Sequence, residues 1–130
     1  MGKIGARSAA LLAVILTAGA AAGCSGTKPP DQTGVCYHMI ERKDGHLQFN
    51  TLAENVPNIE TCAQKLEIMR LQFLRLGGTR TSITGAYQGQ FIWLEKRGVS
   101  VSQSLDGIQY ALLKRMPDGS LAIPSAVPQP

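Results

Sequence analysis

Only one stretch of this chain keeps a helical period, and that restricts the fold more than any other feature. Ile59, Cys62, Leu66, Met69, Phe73 and Leu76 recur at intervals of three and four, the apolar stripe of an amphipathic helix. Asn58, after Pro57, can cap its start; Thr61 with Gln64 offers a capping box as the alternative. Arg70 and Arg75 lie toward the C-terminal end, where cations suit the helix dipole, and Gly77-Gly78 stops the helix. The spacing predicts a helix over 58–76, with Glu60, Gln64, Lys65 and Gln72 off the stripe.

Around this helix the foldable sequence reads as strand. Residues 35–41 and 46–53 are rich in β-formers and flank Arg42-Lys43-Asp44-Gly45, a turn sequence, so they form a hairpin. After the helix, short apolar segments alternate with turns at Gly98, Gly107 and Gly119, the rhythm of an antiparallel meander. The expected fold class is α+β: a ββα unit followed by an antiparallel β-meander of roughly three to five strands. One helix packs on one face of a single sheet. No internal repeat and no sustained heptad is present.

The N-terminus has a different character. Lys3 and Arg7 open the sequence, no acid precedes Asp31, and an apolar run extends from Ala9 to Ala22. That run falls short of the roughly 20 residues a spanning helix needs. It reads as a secretory signal peptide, with an uncleaved membrane anchor as the alternative. Its end, Ala21-Ala22-Gly23-Cys24, resembles the lipobox of bacterial lipoproteins, departing from it in having Ala21 where Leu is usual. The resemblance implies cleavage of residues 1–23, lipid on Cys24, and, with Ser25 second, an outer-membrane anchor facing the periplasm. Ordinary cleavage after Ala20 or Ala22, giving a free secreted protein, stays open. Residues 24–34 carry no hydrophobic side chain larger than proline and are expected to be a flexible tether. Residues 124–130 form a Pro-rich tail, which leaves 35–123 as the folded domain.

An odd cysteine count in an exported chain asks for a reason. If Cys24 carries lipid, Cys36 and Cys62 remain as a pair able to form a disulfide in the oxidising periplasm. Such a bond would close a loop of about 25 residues, contribute about 2–4 kcal/mol, and staple helix to strand. Two reduced cysteines packed as small hydrophobes are the alternative. A metal site is not expected: Cys36, Cys62, His38 and His46 match no ligand spacing.

Function is less legible. At 5% aromatic residues, the chain does not resemble a nucleic-acid reader built on stacked rings. Its formal charge of +4 owes two bases, Lys3 and Arg7, to the leader. No nucleophile elbow, phosphate loop, HExxH or acid pair appears, so no catalytic residue and no cofactor are expected. Asp44, Asp106 and Asp118 each precede a glycine and read as turn-makers; Ser100, Ser102 and Ser104 read as the wet face of a strand. The basic pairs Arg42-Lys43, Lys96-Arg97 and Lys114-Arg115 read as turn solvation. His38 and His46 fall on opposite faces if Glu41 pairs with His46, and a one-residue change in the turn reverses this.

Phe91 and Trp93 share one strand face while Ile92 and Leu94 take the other, yet one helix covers only one face. Phe91 and Trp93 therefore pack under loops and tail, or with Tyr87 and Tyr110 form a partner surface. The expected role is a noncatalytic binding or accessory module of the bacterial envelope that contacts another envelope protein. One alternative is a cell-wall glycan binder, similar in size to sporulation-related repeat domains, which carry two helices. The other is a small periplasmic hydrolase or an enzyme inhibitor.

Overall fold

The structure is a computed structural model that describes residues 28–124. The leader, the lipidation of Cys24 and the tail beyond Pro124 lie outside the described residues.

Helix α1 (Ile59–Arg75) starts where its cap chemistry directs. Asn58 is extended, and its Oδ1 accepts the Thr61 backbone N–H at 2.8 Å and the Thr61 hydroxyl at 2.7 Å. Of the two starts open in the sequence, Asn58 is used. At the other end Gly77 takes φ +88°. Its N–H donates to the Leu74 carbonyl at 3.1 Å, and the Gly78 N–H donates to the Phe73 carbonyl at 3.0 Å. That pair is a Schellman motif, which needs a left-handed residue and so selects glycine.

Seven strands form one antiparallel sheet: β1 (Cys36–Glu41), β2 (Leu47–Ala53), β3 (Ile83–Tyr87), β4 (Gln90–Glu95), β5 (Gly98–Ser102), β6 (Tyr110–Arg115) and β7 (Leu121–Ala122). Their order is β2-β1-β3-β4-β5-β6-β7. The helix thus lifts the chain from the edge strand β2 over β1 to its far side. The molecule is α+β, one helix packed with a seven-stranded antiparallel sheet. Among the described residues no helix is long and apolar enough to cross a membrane.

The first hairpin turns through a three-residue loop. The Arg42 N–H donates to the His46 carbonyl at 2.8 Å, the Gly45 N–H to the Arg42 carbonyl at 2.9 Å, and Gly45 sits at φ +88°. This is a type I turn closed by a left-handed residue. It sets Glu41 opposite Leu47, not His46.

Cys36 and Cys62 are disulfide-bonded, their Cα atoms 5.4 Å apart across a separation of 26 residues. Around them Leu66, Tyr87, Ile92, Leu94, Val99 and Leu113 are buried between helix and sheet. Leu66 reaches the sheet because Gly85 has no side chain: a Cβ there would collide with Leu66 Cδ1 and the Tyr37 carbonyl. The apolar stripe does not stay buried along its length. Cys62 and Leu66 are fully covered, whereas Phe73 is 44% and Leu76 87% exposed. The buried arc instead includes Ala63, Glu67 and Arg70.

The opposite face of the sheet carries a row of rings. Tyr37–Phe49, Phe49–Phe91 and Phe91–Trp93 have centroids 6.3, 6.3 and 6.1 Å apart. Residues 28–34, expected to belong to the tether, are hydrogen-bonded to the domain. The Pro30 carbonyl accepts the Gly89 N–H at 3.0 Å, the Gly34 N–H donates to Gln88 Oε1 at 2.9 Å, and the Tyr37 hydroxyl donates to Gln32 Oε1 at 3.2 Å. Pro29 is buried in this segment, and two of the three bonds use the segment's backbone groups, which must be satisfied wherever they leave water.

Candidate functional site

Where the helical stripe leaves the sheet, a groove of about 730 Å³ opens between the C-terminal half of α1, the far ends of β1 and β3, and the loop 79–82. Met69, Phe73, Ile40 and Ile83 supply apolar wall; Thr79, Thr81 and Ser82 of the loop supply hydroxyls; His38 and Arg80 supply the titratable groups. The Schellman motif builds this end of the groove. The Phe73 ring lies against Gly78, where a Cβ would collide with Phe73 Cδ1 and Cε1. Gly78 therefore positions Phe73.

His38 lies half-buried in the groove. Burial, with a smaller contribution from the positive charge of Arg80, holds its imidazole below the ordinary value of 6.5. Among the described residues Arg80 joins no salt bridge, so the groove offers one free cation; Glu41, in register with Leu47, belongs to the ring-bearing face. The observed hairpin register puts His46 on the same side of the sheet as His38, the reverse of the result for a Glu41–His46 pairing. The two remain apart along the strands: His38 faces Asn50, while His46 is exposed and pairs with Asp44 at 3.0 Å. Among the described residues no group of His, Cys, Asp and Glu is placed to hold a metal ion.

The four aromatic residues read as a partner surface do not form one patch. Tyr87 is buried on the helix side, its hydroxyl donating to the Val56 carbonyl at 2.6 Å. Phe91, on the opposite side, is 0% exposed. Both rings are covered, so of the two readings open in the sequence Phe91 takes the packed one, and Tyr87 presents no surface to a partner. Trp93 is half-buried and donates its indole N–H to Ser102 Oγ at 2.7 Å. Tyr110 alone stands well exposed, at 63%. Ser102 departs from its expected wet face: it is buried, its Oγ accepting from the indole N–H and donating to the Ser104 carbonyl at 2.7 Å.

A second polar cluster lies under the helix. Glu67 accepts from Arg70 at 2.7 and 3.0 Å and from Arg115 at 2.8 and 3.2 Å. Burial pushes the Glu67 carboxyl up, but the hydrogen bonds and charges of Arg70 and Arg115 outweigh it and hold the group at about 2. A carboxylate so held cannot exchange protons near neutral pH, so the cluster is a clamp between helix and β6. It also corrects the reading of Lys114-Arg115 as turn solvation, since Arg115 is turned inward. Sequence reasoning missed Glu67. The available signal was its place four residues after Ala63 and three before Arg70, on the flank of the apolar stripe.

The chain matches no protein-family model, no curated protein and no solved structure.

Proposed function

We propose that this chain is an exported bacterial envelope protein, lipid-anchored through Cys24, that acts as a noncatalytic binding module. Its groove at the C-terminal half of α1 contacts another envelope protein. The observation that carries this reading is the departure of the apolar stripe from the sheet. Phe73 stands part-exposed over an open groove beside the uncompensated Arg80, while Met69, also on the groove wall, still packs against the core. Apolar wall with a few polar groups at its rim suits capture of a peptide segment. The leader, the lipobox resemblance and the polar residues that follow support the envelope location.

A cell-wall glycan reading would rest on exposed aromatic rings. Of the candidates, Trp93 spends its only donor on Ser102, and Phe91 is covered.

The test is photocrosslinking in cells that express the full chain with a benzophenone side chain in place of Phe73. The expected result is one discrete protein adduct that weakens when Arg80→Glu is added. Failure to recover an adduct, or one equally strong from a probe placed at exposed Thr33, overturns the groove as the contact. Equal retention of native chain and Trp93→Ala on purified cell wall would count against glycan recognition.

A further inference from the structure

The two edges of the sheet are unequally protected. β7 has only two residues and is followed by Ile123 and Pro124. A short strand ending at proline is a poor template for pairing. β2 has seven residues, Leu47–Ala53, with no charge and no proline among them. Among the described residues it pairs only with β1.

The register states which of its backbone groups are free. The Arg42 N–H donates to the His46 carbonyl and its carbonyl accepts from the Gly45 N–H, so Arg42 points its backbone groups at the partner strand, and in alternation Ile40 with Gln48 and His38 with Asn50 are bonded pairs. Leu47, Phe49 and Thr51 must then point their N–H and C=O groups away from β1. Beyond Thr51 the ladder breaks: Tyr37 faces Thr51 but Cys36 faces Ala53, so Leu52 is bulged. The regular free edge is Leu47 to Thr51, with Phe49 at its centre.

We propose that β2 pairs with β2 of a second copy of this chain, antiparallel, about a two-fold axis at Phe49. Phe49 then exchanges hydrogen bonds with its symmetry mate, and each Leu47 with the other copy's Thr51, about six backbone bonds in all. The side chains fit this register. On the ring-bearing face, Phe49 meets Phe49 and lengthens the Tyr37–Phe49–Phe91–Trp93 row into the second copy. On the helix-bearing face, Gln48 comes opposite Asn50 on both sides of the axis. Within one copy Gln48 already donates to Asn50 Oδ1 at 2.7 Å and accepts from Arg42 at 2.8 Å. The Asn50 amide N–H groups remain free to donate across the axis to the other Gln48. No like charges meet within the segment.

The experiment uses the detergent-solubilised full chain in sedimentation equilibrium and residue-resolved hydrogen exchange. The native chain is expected to be a reversible dimer. Thr51→Pro removes an outward N–H without touching the β1 ladder, and should raise the dimer dissociation constant roughly tenfold or more. Thr51→Val keeps the N–H and should leave the dimer intact. Should Thr51→Pro fail to fold, hydrogen exchange on the native chain decides alone. The amides of Leu47, Phe49 and Thr51 should lose protection on dilution, while those of Gln48 and Asn50 stay protected. A monomeric native chain, a dimer indifferent to Thr51→Pro, or amides at 47, 49 and 51 that exchange freely at every concentration overturns the proposal. So does protection that appears in a monomer only when envelope extract is added, which would assign the edge to a foreign strand.

Discussion

Arg115, near the end of the sheet, holds Glu67 of the helix in a two-pronged hydrogen bond, at 2.8 and 3.2 Å across 48 residues of sequence. Arg70 holds the same carboxylate from one helical turn away. The remaining guanidinium donors are mostly spent on carbonyls: Arg115 on Gly119 at 2.9 Å and Glu95 at 3.1 Å, Arg70 on Thr81 at 3.3 Å. The clamp thus fixes the helix against β6, a strand that lies beyond its main apolar footprint.

Acid should release this clamp. The Glu67 carboxyl is held at about 2 in the folded chain against an ordinary 4.5. Its stabilisation is fully present above the unfolded value and is lost as pH falls toward the folded one, and amounts to about 3 kcal/mol. Urea unfolding at pH 7 and pH 3 should show the loss in the native chain. Glu67→Gln should be destabilised by about 3 kcal/mol at pH 7 with a flatter acid slope, because it leaves the buried Arg70 and the part-buried Arg115 without a charge partner. An unchanged slope would remove Glu67 from the acid response.

Reducing the Cys36–Cys62 disulfide should lower the melting temperature by about 10–20 °C, corresponding to about 2–4 kcal/mol. Calorimetry with and without reductant reads this directly. A Cys36→Ala, Cys62→Ala double variant should melt with the reduced native chain and ignore reductant.

Gly85 is the point of closest approach between helix and sheet. Gly85→Ala should destabilise the fold by about 1–3 kcal/mol, since the added methyl meets both Leu66 and backbone. Leu66→Ala added to Gly85→Ala should recover part of that loss, whereas strict additivity in chemical denaturation would place the strain elsewhere.

His38 reports on the groove. Its lowered value comes first from burial and then from Arg80, so Arg80→Gln should move its titration upward in proton NMR. Because the folded value lies below 6.5, the unfolded chain takes up the proton first as pH falls. His38 therefore costs stability as pH drops through that window, and the cost should shrink in Arg80→Gln. A titration midpoint unmoved by the substitution would show that Arg80 does not act on this site.

The helix cap offers a local control. Asn58→Ala should cost about 1 kcal/mol in chemical denaturation, as removal of an N-cap side chain usually does. Thr61 loses both its backbone and its hydroxyl partner in that variant.

Much of the local structure was legible because it depends on neighbours in sequence. Asn58 and Gly77 bound the helix through bonds to residues three or so positions away. Asp44 and Asp118 make their turns by accepting from His46 and Ser120, two residues on. The groove was not legible. Met69 and Phe73 carry the same periodic signal as Cys62 and Leu66, and nothing within the helix says that the sheet stops fitting beneath the last turns.

What the sequence alone determined was therefore which residues share a face and where the chain must turn, together with a cysteine pair able to crosslink. Only the tertiary structure decided what lies opposite each face. Phe91 and Trp93 look alike in the strand pattern, yet one is sealed and the other half-open. Glu67 and Arg115 look like ordinary surface charges until the strand order brings them together. Periodicity follows from backbone geometry within one element, whereas burial and ion pairing depend on contacts between elements far apart in the chain, which no local pattern records.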